Sequence, residues 1–250
     1  MSDLKFTGER LVPDISPPQL EAEHRARYEM ARDYIAGGRV LDLGCGTGYG
    51  SGILLEKAME VVGIDLSDEA IEYANEKYKS QGLEFLAGDV TNLQFENDSF
   101  DAVVCFEVVE HIENAGTLLD EVSRVIKDEG LFIVSTPNGA VIVSSRPNPY
   151  HFREYNVGEF TKLLESRFPP ERWKIELFGQ FIKGKNYSSI SVLAKNLYLS
   201  IKGLVGLHGK LDFTLRGKTD SAGRAEMKYE FKADRAELAE YLVAIISPRE

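Results

Sequence analysis

From residue 39 onward the chain alternates short apolar runs with longer stretches whose apolar residues recur every three or four positions. The runs at 39–43, 60–64, 83–87, 100–106 and 131–135 are rich in Val, Ile and Leu, which predicts strands covered on both faces. Between them, 48–57, 67–79 and 117–127 carry helical spacing. The second of these opens on Ser67-Asp68-Glu69, a good capping run, and is broken by Gly82. The alternation predicts an α/β fold with a doubly wound, mostly parallel sheet. Two later apolar runs, 173–178 and 241–246, supply a sixth and a seventh strand, and 157–166 reads as a further helix. Ahead of the first strand, 19–35 reads as an amphipathic helix with Leu20, Tyr28, Ala31 and Ile35 as its apolar positions, ended by Gly37-Gly38.

These patterns divide the chain into three parts: an N-terminal arm and helix (1–38), a core domain (39–182 and 229–250), and an interruption at 183–228. The interruption runs against the global charge. The whole chain carries a net charge of -11, whereas this segment has nine Lys or Arg against three Asp or Glu, a net +6. Its stretch 189–207 has helical apolar spacing and reads as a lid, a homodimer contact or a membrane-surface segment. The acidic balance of the rest disfavours nucleic acid as a partner. Two cysteines, Cys45 and Cys105, fall in apolar settings with neither disulfide nor zinc spacing, so a reducing, cytoplasmic setting is expected. The polar N-terminus has no apolar leader core, and no run approaches the ~20 apolar residues that span a bilayer.

The chemistry starts at the first strand. It ends in Gly44-Cys45-Gly46-Thr47-Gly48 and a helix follows at once. Glycines permit close backbone approach, and a helix N-terminus offers unpaired N–H groups, so the turn is a cradle for a nucleotide-like ligand. A dinucleotide fingerprint would need a third glycine at 49, where the chain has Tyr49. A nicotinamide dehydrogenase is therefore disfavoured.

The stretch VLDLGCGTGYG at 40–50 resembles motif I of the class I S-adenosylmethionine-dependent methyltransferases. The acid ending the second strand (Asp65), the Gly88-Asp89-Val90 step, and the fourth and fifth strands resemble the family's later motifs, in order and at matching spacing. The resemblance implies a Rossmann-like, seven-stranded sheet whose last strand is antiparallel, with an inserted helical lid. It also implies S-adenosylmethionine as cofactor. Gly44 and Gly46 would let the backbone approach the methionine portion, with Asp42 and Cys45 in the same motif. Asp65, with Leu66 beside it, would hold the ribose hydroxyls. Asp89 would meet the adenine amino group, Val90 would pack on the ring, and Phe106 would lie by the tail. The run Glu23-His24-Arg25-Ala26-Arg27-Tyr28 resembles a stretch of bacterial methyltransferases acting on glycans or related metabolites, which implies Arg27 or Tyr28 at the carboxylate tail. By its charges alone it reads as a solvated helix face.

On the acceptor side, Glu107, Glu110 and His111 share one face if they form a helical turn. One expectation is catalytic: His111 as general base, tuned by Glu107 and Glu110, with His151 assisting. The other is a divalent metal, Mg for instance, held by Glu107, Glu110, His111 and His151. The pattern resembles that of ubiquinone-pathway O-methyltransferases, and also the metal set of small-RNA 2′-O-methyltransferases. Asn148-Pro149-Tyr150 reads as a turn. The expected activity is O-methylation of a small-molecule or sugar-containing acceptor. The alternatives are a metal-dependent RNA 2′-O-methyltransferase and a non-catalytic S-adenosylmethionine-binding regulatory protein.

Overall fold

The computed structural model describes residues 10–13, 15–142, 148–183 and 228–249. The expected helix at 189–207, and with it the lid, dimer and membrane-surface readings, lies outside the described residues. The elements run α1 (Pro18–Tyr34), β1 (Arg39–Leu43), α2 (Tyr49–Leu54), β2 (Glu60–Asp65), α3 (Asp68–Tyr78), β3 (Leu83–Ala87) and β4 (Phe100–Phe106). They continue α4 (Ala115–Val125), β5 (Ile126–Pro137), α5 (Val157–Glu165), β6 (Trp173–Ile182), β7 (Tyr229–Lys232) and β8 (Tyr241–Pro248). The strands form one sheet in the order β3-β2-β1-β4-β5-β8-β6-β7. Neighbours from β3 to β5 are parallel, while β8 is antiparallel to both β5 and β6.

The sheet thus has eight strands where the apolar runs predict seven. The additional one, β7, has the sequence YEFK, too short and too charged to read as a buried strand. It forms as an edge, antiparallel to β6, and the hairpin is joined by Lys183 N–H donating to Lys228 O at 2.7 Å. The last strand in sequence, β8, is antiparallel as expected and lies inside the sheet.

Alternate residues of the central strands feed two cores. Leu41, Leu43, Val103, Cys105, Phe132 and Val134 pack with α4 and α5. Val40, Val61, Val104, Phe106 and Ile133 pack with α1, α2 and α3. Both faces are covered, which is why these strands read as continuous apolar runs. Helix α1 departs from the solvated-face reading: Glu23, Arg27, Tyr28 and Ala31 are all buried against the sheet. Helix α2 is shorter than its apolar spacing predicts, because it opens at left-handed Gly48 and unwinds beyond Leu54.

The strand order reverses between β1 and β4. β1 leads through α2 to β2 on one side, and the chain returns after β3 to lay β4 on the other. In such sheets the crevice at the carboxyl ends of these two strands is the binding position. The turn after β1 depends on Gly48, at φ +82°, where a Cβ would lie 2.7 Å from the Phe85 ring and 2.8 Å from Ala74 Cβ. Left-handed strain and overpacking together set the cost of a side chain here. Gly48→Ala is expected to destabilise the protein by about 2–4 kcal/mol in urea unfolding, well above the ordinary surface substitution.

Candidate active site

The turn leaving β1 takes positive φ at Gly44 (+71°), Gly46 (+53°) and Gly48 (+82°). It is tied to the end of β2. The N–H groups of Gly44 and Cys45 both donate to Ile64 O, at 2.8 and 2.9 Å. The Gly46 N–H donates to Asp65 Oδ2 at 3.0 Å, and the Ser67 N–H donates to Asp65 Oδ1 at 2.9 Å. At the end of β3, Asp89 Oδ1 accepts from the backbone N–H of Thr91 at 2.8 Å and from its hydroxyl at 2.7 Å. These bonds hold the Asp89 carboxyl below its ordinary range.

Above the turn lies a cavity of about 310 Å³. Of the residues the sequence singles out, Tyr28, Gly44, Cys45, Gly46, Asp65, Leu66, Asp89, Val90, Phe106, Glu107 and His111 line it together. A Cβ on Gly46 would have Arg10 Cγ at 3.8 Å as its nearest neighbour, so the space over the turn is open. Arg10, Leu11, His24, Thr47, Tyr49, Val108 and Ile112 line it as well. His24, Thr47, Tyr49 and Val108 fall inside runs that carry pattern without being singled out themselves, whereas only the fold brings Arg10, Leu11 and Ile112 here. His24 sits among buried groups beside Arg27, and both influences push its imidazole well below the ordinary range.

Asp42, Glu110 and His151 are not in the cavity wall. Asp42 is fully buried beneath the turn, where Tyr28 Oη donates to Oδ1 at 3.1 Å and Ser51 Oγ donates to Oδ2 at 2.6 Å. Burial outweighs both hydrogen bonds and raises the carboxyl to about 7. Its place is under the cradle, as a joint between α1, β1 and α2.

Past β4 the expected helical turn does not form as predicted. Glu107 has φ +56°, off the helical path, and only Val109–His111 make a 3₁₀ turn. The two carboxyls therefore take different partners. Ser135 Oγ donates to Glu107 Oε1 at 2.6 Å, and Thr136 Oγ1 donates to Glu110 Oε2 at 3.1 Å. Glu110 is buried and its Oε1 has no hydrogen-bond partner among the described residues. Burial first, then the charge of Glu107, push its carboxyl well above the usual range.

His111 Nδ1 lies 3.0 Å from the Tyr150 carbonyl, which assigns the proton to Nδ1 and leaves Nε2 as the basic nitrogen of the neutral ring. His151 stands edge-on to His111 with ring centroids 4.7 Å apart. Its Nδ1 meets Glu154 Oε1 at 2.8 Å and its Nε2 meets the Asn148 side-chain amide at 2.9 Å. Asn148 Oδ1 accepts from the Tyr150 N–H at 3.0 Å, closing the turn that Asn148-Pro149-Tyr150 predicts. Ligand atoms of Glu110, His111 and His151 come within 4.8 Å of one another. The group brought together is this trio, without Glu107, whose carboxylate is committed to Ser135.

A glycine turn at a strand-order reversal, with an acid ending the next strand, defines a Rossmann-like site for a nucleoside-containing ligand. Residues 41–134 match the family model described as a methyltransferase domain. A probable S-adenosylmethionine-dependent methyltransferase of Mycolicibacterium smegmatis is 33% identical over 169 residues, 66% of this chain and 65% of that protein. The ubiquinone biosynthesis O-methyltransferase of Xanthomonas oryzae pv. oryzae is 34% identical over 123 residues, 46% of this chain and 49% of the relative. A Thermotoga maritima S-adenosylmethionine-dependent methyltransferase, described as a possible histamine N-methyltransferase, shares the fold with a TM-score of 0.62 at 16% identity, covering 93% and 92% of the two chains. Over these residues the chain is similar to S-adenosylmethionine-dependent methyltransferases. It spans less than two thirds of the length of the curated relatives it matches. No helix among the described residues is long and apolar enough to cross a membrane.

The Asp42 joint has a pH signature. Its carboxyl binds a proton more tightly in the folded than in the unfolded state, where the ordinary value is 3.8. Its contribution to stability is therefore full below about pH 4 and is lost as pH rises through about 7. Asp42→Asn, which cannot ionise, is expected to cost less stability at pH 8 than at pH 5. Urea unfolding of both proteins at the two pH values measures the difference, and an equal cost at both would remove this account of Asp42.

Proposed function

We propose that this protein is an S-adenosylmethionine-dependent O-methyltransferase acting on a small-molecule or sugar-containing acceptor, with His111 as general base. The observation that carries the reading is the single cavity. The cradle residues Gly44, Gly46, Asp65 and Asp89 line it together with Glu107 and the oriented imidazole of His111. Bound S-adenosylmethionine supplies an electrophilic methyl group, so alignment and proton removal are what the chain itself must provide. Asp65 holds the ribose and Asp89 with Val90 the adenine. The Tyr150 carbonyl fixes the His111 ring so that Nε2 can take the acceptor's proton. Tyr28 and Phe106, both buried, would exclude water around the donor. The oxygen as acceptor atom is favoured by the placed base, since a weakly acidic hydroxyl needs one; the related O-methyltransferase is consistent with this.

A second reading adds a divalent cation at Glu110, His111 and His151. It is favoured by the unpartnered Glu110 Oε1 and by the carbonyl-anchored His111, a common arrangement for metal-ligating imidazoles. Such a cation would supply Lewis-acid activation of the acceptor hydroxyl.

Asp65→Ala is expected to weaken S-adenosylhomocysteine binding roughly 10–100-fold in calorimetric titration, the worth of a charge-assisted hydrogen bond. His111→Ala should leave that affinity within about twofold while lowering kcat by about 10²–10⁴ on any acceptor the native enzyme turns over. Unchanged donor affinity in the first variant, or unchanged turnover in the second, rejects the corresponding role. For the cation, adding Mn²⁺ to protein in weak buffer should release a proton as Glu110 ionises, and Glu110→Gln should abolish the release. Full turnover after chelation, with no proton release, excludes it.

A further inference from the structure

The cavity over the glycine turn is acid-lined, with the carboxylates of Asp65, Asp89 and Glu107 in its wall. Arg10 is the only Lys or Arg among the described residues that line it. S-adenosylmethionine brings two cationic centres, a sulfonium and an ammonium, which such a wall favours. It also brings one carboxylate, which the same wall repels unless a cation stands beside it.

The glycine turn itself offers that carboxylate little. The N–H groups of Gly44 and Cys45 are taken by Ile64 O, that of Gly46 by Asp65 Oδ2, and that of Gly48 by Cys45 O at 3.0 Å. Helix α1 does not supply the cation either. The Tyr28 hydroxyl donates to Asp42, and Arg27 is fully buried against Gln180 and Tyr241, outside the cavity wall.

Arg10 is held in place by the turn. The buried Thr47 donates its hydroxyl to Leu11 O at 3.1 Å, and Val12 N–H donates to Ser16 Oγ at 2.8 Å. Leu11 and Val12 are buried, so the backbone next to Arg10 is anchored. The side chain then lies over Gly46, with Arg10 Cγ 3.8 Å from where a Cβ on that glycine would stand. Gly46 is one of the two glycines at which the donor's methionine portion is expected to approach. Among the described residues Arg10 makes one ion pair, at 4.0 Å to the mostly exposed Glu69. A pair of that length and exposure holds a guanidinium weakly, which leaves its planar edge for a carboxylate.

We propose that Arg10 binds the carboxylate of the methyl donor, so that the N-terminal arm is part of the donor site. The proposal rests on S-adenosylmethionine as donor and is independent of the acceptor and of the role of His111.

The test is calorimetric titration of the full chain with S-adenosylhomocysteine and with decarboxylated S-adenosylhomocysteine, which lacks only the carboxylate. The native protein is expected to bind the first about tenfold or more tightly than the second, the worth of a charge-assisted hydrogen bond. Arg10→Gln should erase that preference by weakening S-adenosylhomocysteine alone, with the decarboxylated ligand unchanged within about twofold. Equal binding of the two ligands by the native protein overturns the proposal. A preference that survives Arg10→Gln overturns it too, by placing carboxylate recognition elsewhere. An equal loss for both ligands in Arg10→Gln also overturns it, by giving Arg10 a role in shaping the turn. Each of these outcomes leaves the donor reading standing, whereas failure of the native protein to bind either ligand would remove both.

Discussion

A carboxyl group shut off from water sits beneath the glycine turn, and two hydroxyls hold it, Tyr28 from α1 and Ser51 from α2. Loss of either partner would leave a buried acceptor unmet, at a cost of about 1–3 kcal/mol. The joint fixes three things together: the end of β1, the start of α2 and the seat of α1. Tyr28 can reach Asp42 only because position 50 is glycine, since a Cβ there would penetrate the tyrosine ring. The same ring stands edge-on to Tyr49 at 5.7 Å and to Phe106 at 5.1 Å. One residue of the N-terminal helix thereby lines the cavity while its hydroxyl holds the carboxyl at the end of the strand beneath. The cradle is a product of this packing as much as of its own glycines.

The second constraint is the crowding of acids past β4. Glu107 stands near enough to the buried Glu110 that its charge adds to burial in raising the Glu110 carboxyl. The fold separates them by backbone geometry and hydroxyl placement. Glu107 turns away at positive φ toward Ser135, a conformation that costs a non-glycine residue on the order of 1 kcal/mol. Glu110 turns toward Thr136, and burial raises its carboxyl. The loop at 148–155 completes the arrangement. Phe152 N–H donates to the Glu110 carbonyl at 2.9 Å, so the segment carrying His151 is hung from the segment carrying His111.

The donor end was legible because its parts are local. Gly44, Gly46 and Asp65 lie 21 residues apart at most, each at the end of an apolar run, and their residue types are dictated by backbone conformation or by a specific hydrogen bond. Asp42 was legible as part of the motif but not in its role, because burial under a neighbouring helix leaves no mark on the strand itself. The helical turn expected at 107–111 failed at Glu107, since nothing in a Phe-Glu-Val sequence announces a left-handed residue. The burial of Arg27 was illegible for a related reason. Its charge argues for solvent, and the groups that receive it, Gln180 and Tyr241, are 153 and 214 positions away.

That difference in range explains why donor and acceptor chemistry are written so differently in this chain. Every member of a donor-binding fold must present the same atoms to the same ligand, and consecutive strand ends do so with short sequence signatures. Arg27 and Glu110 are instead received by groups from α1, β5, β6 and β8, elements that meet only in the finished sheet. Polar groups buried there do not earn their place through stability. An unsatisfied guanidinium edge and an unsatisfied carboxyl oxygen each cost free energy in the folded state. The core around them is rich in Phe, Val and Leu, so apolar replacements of similar volume would relieve that cost.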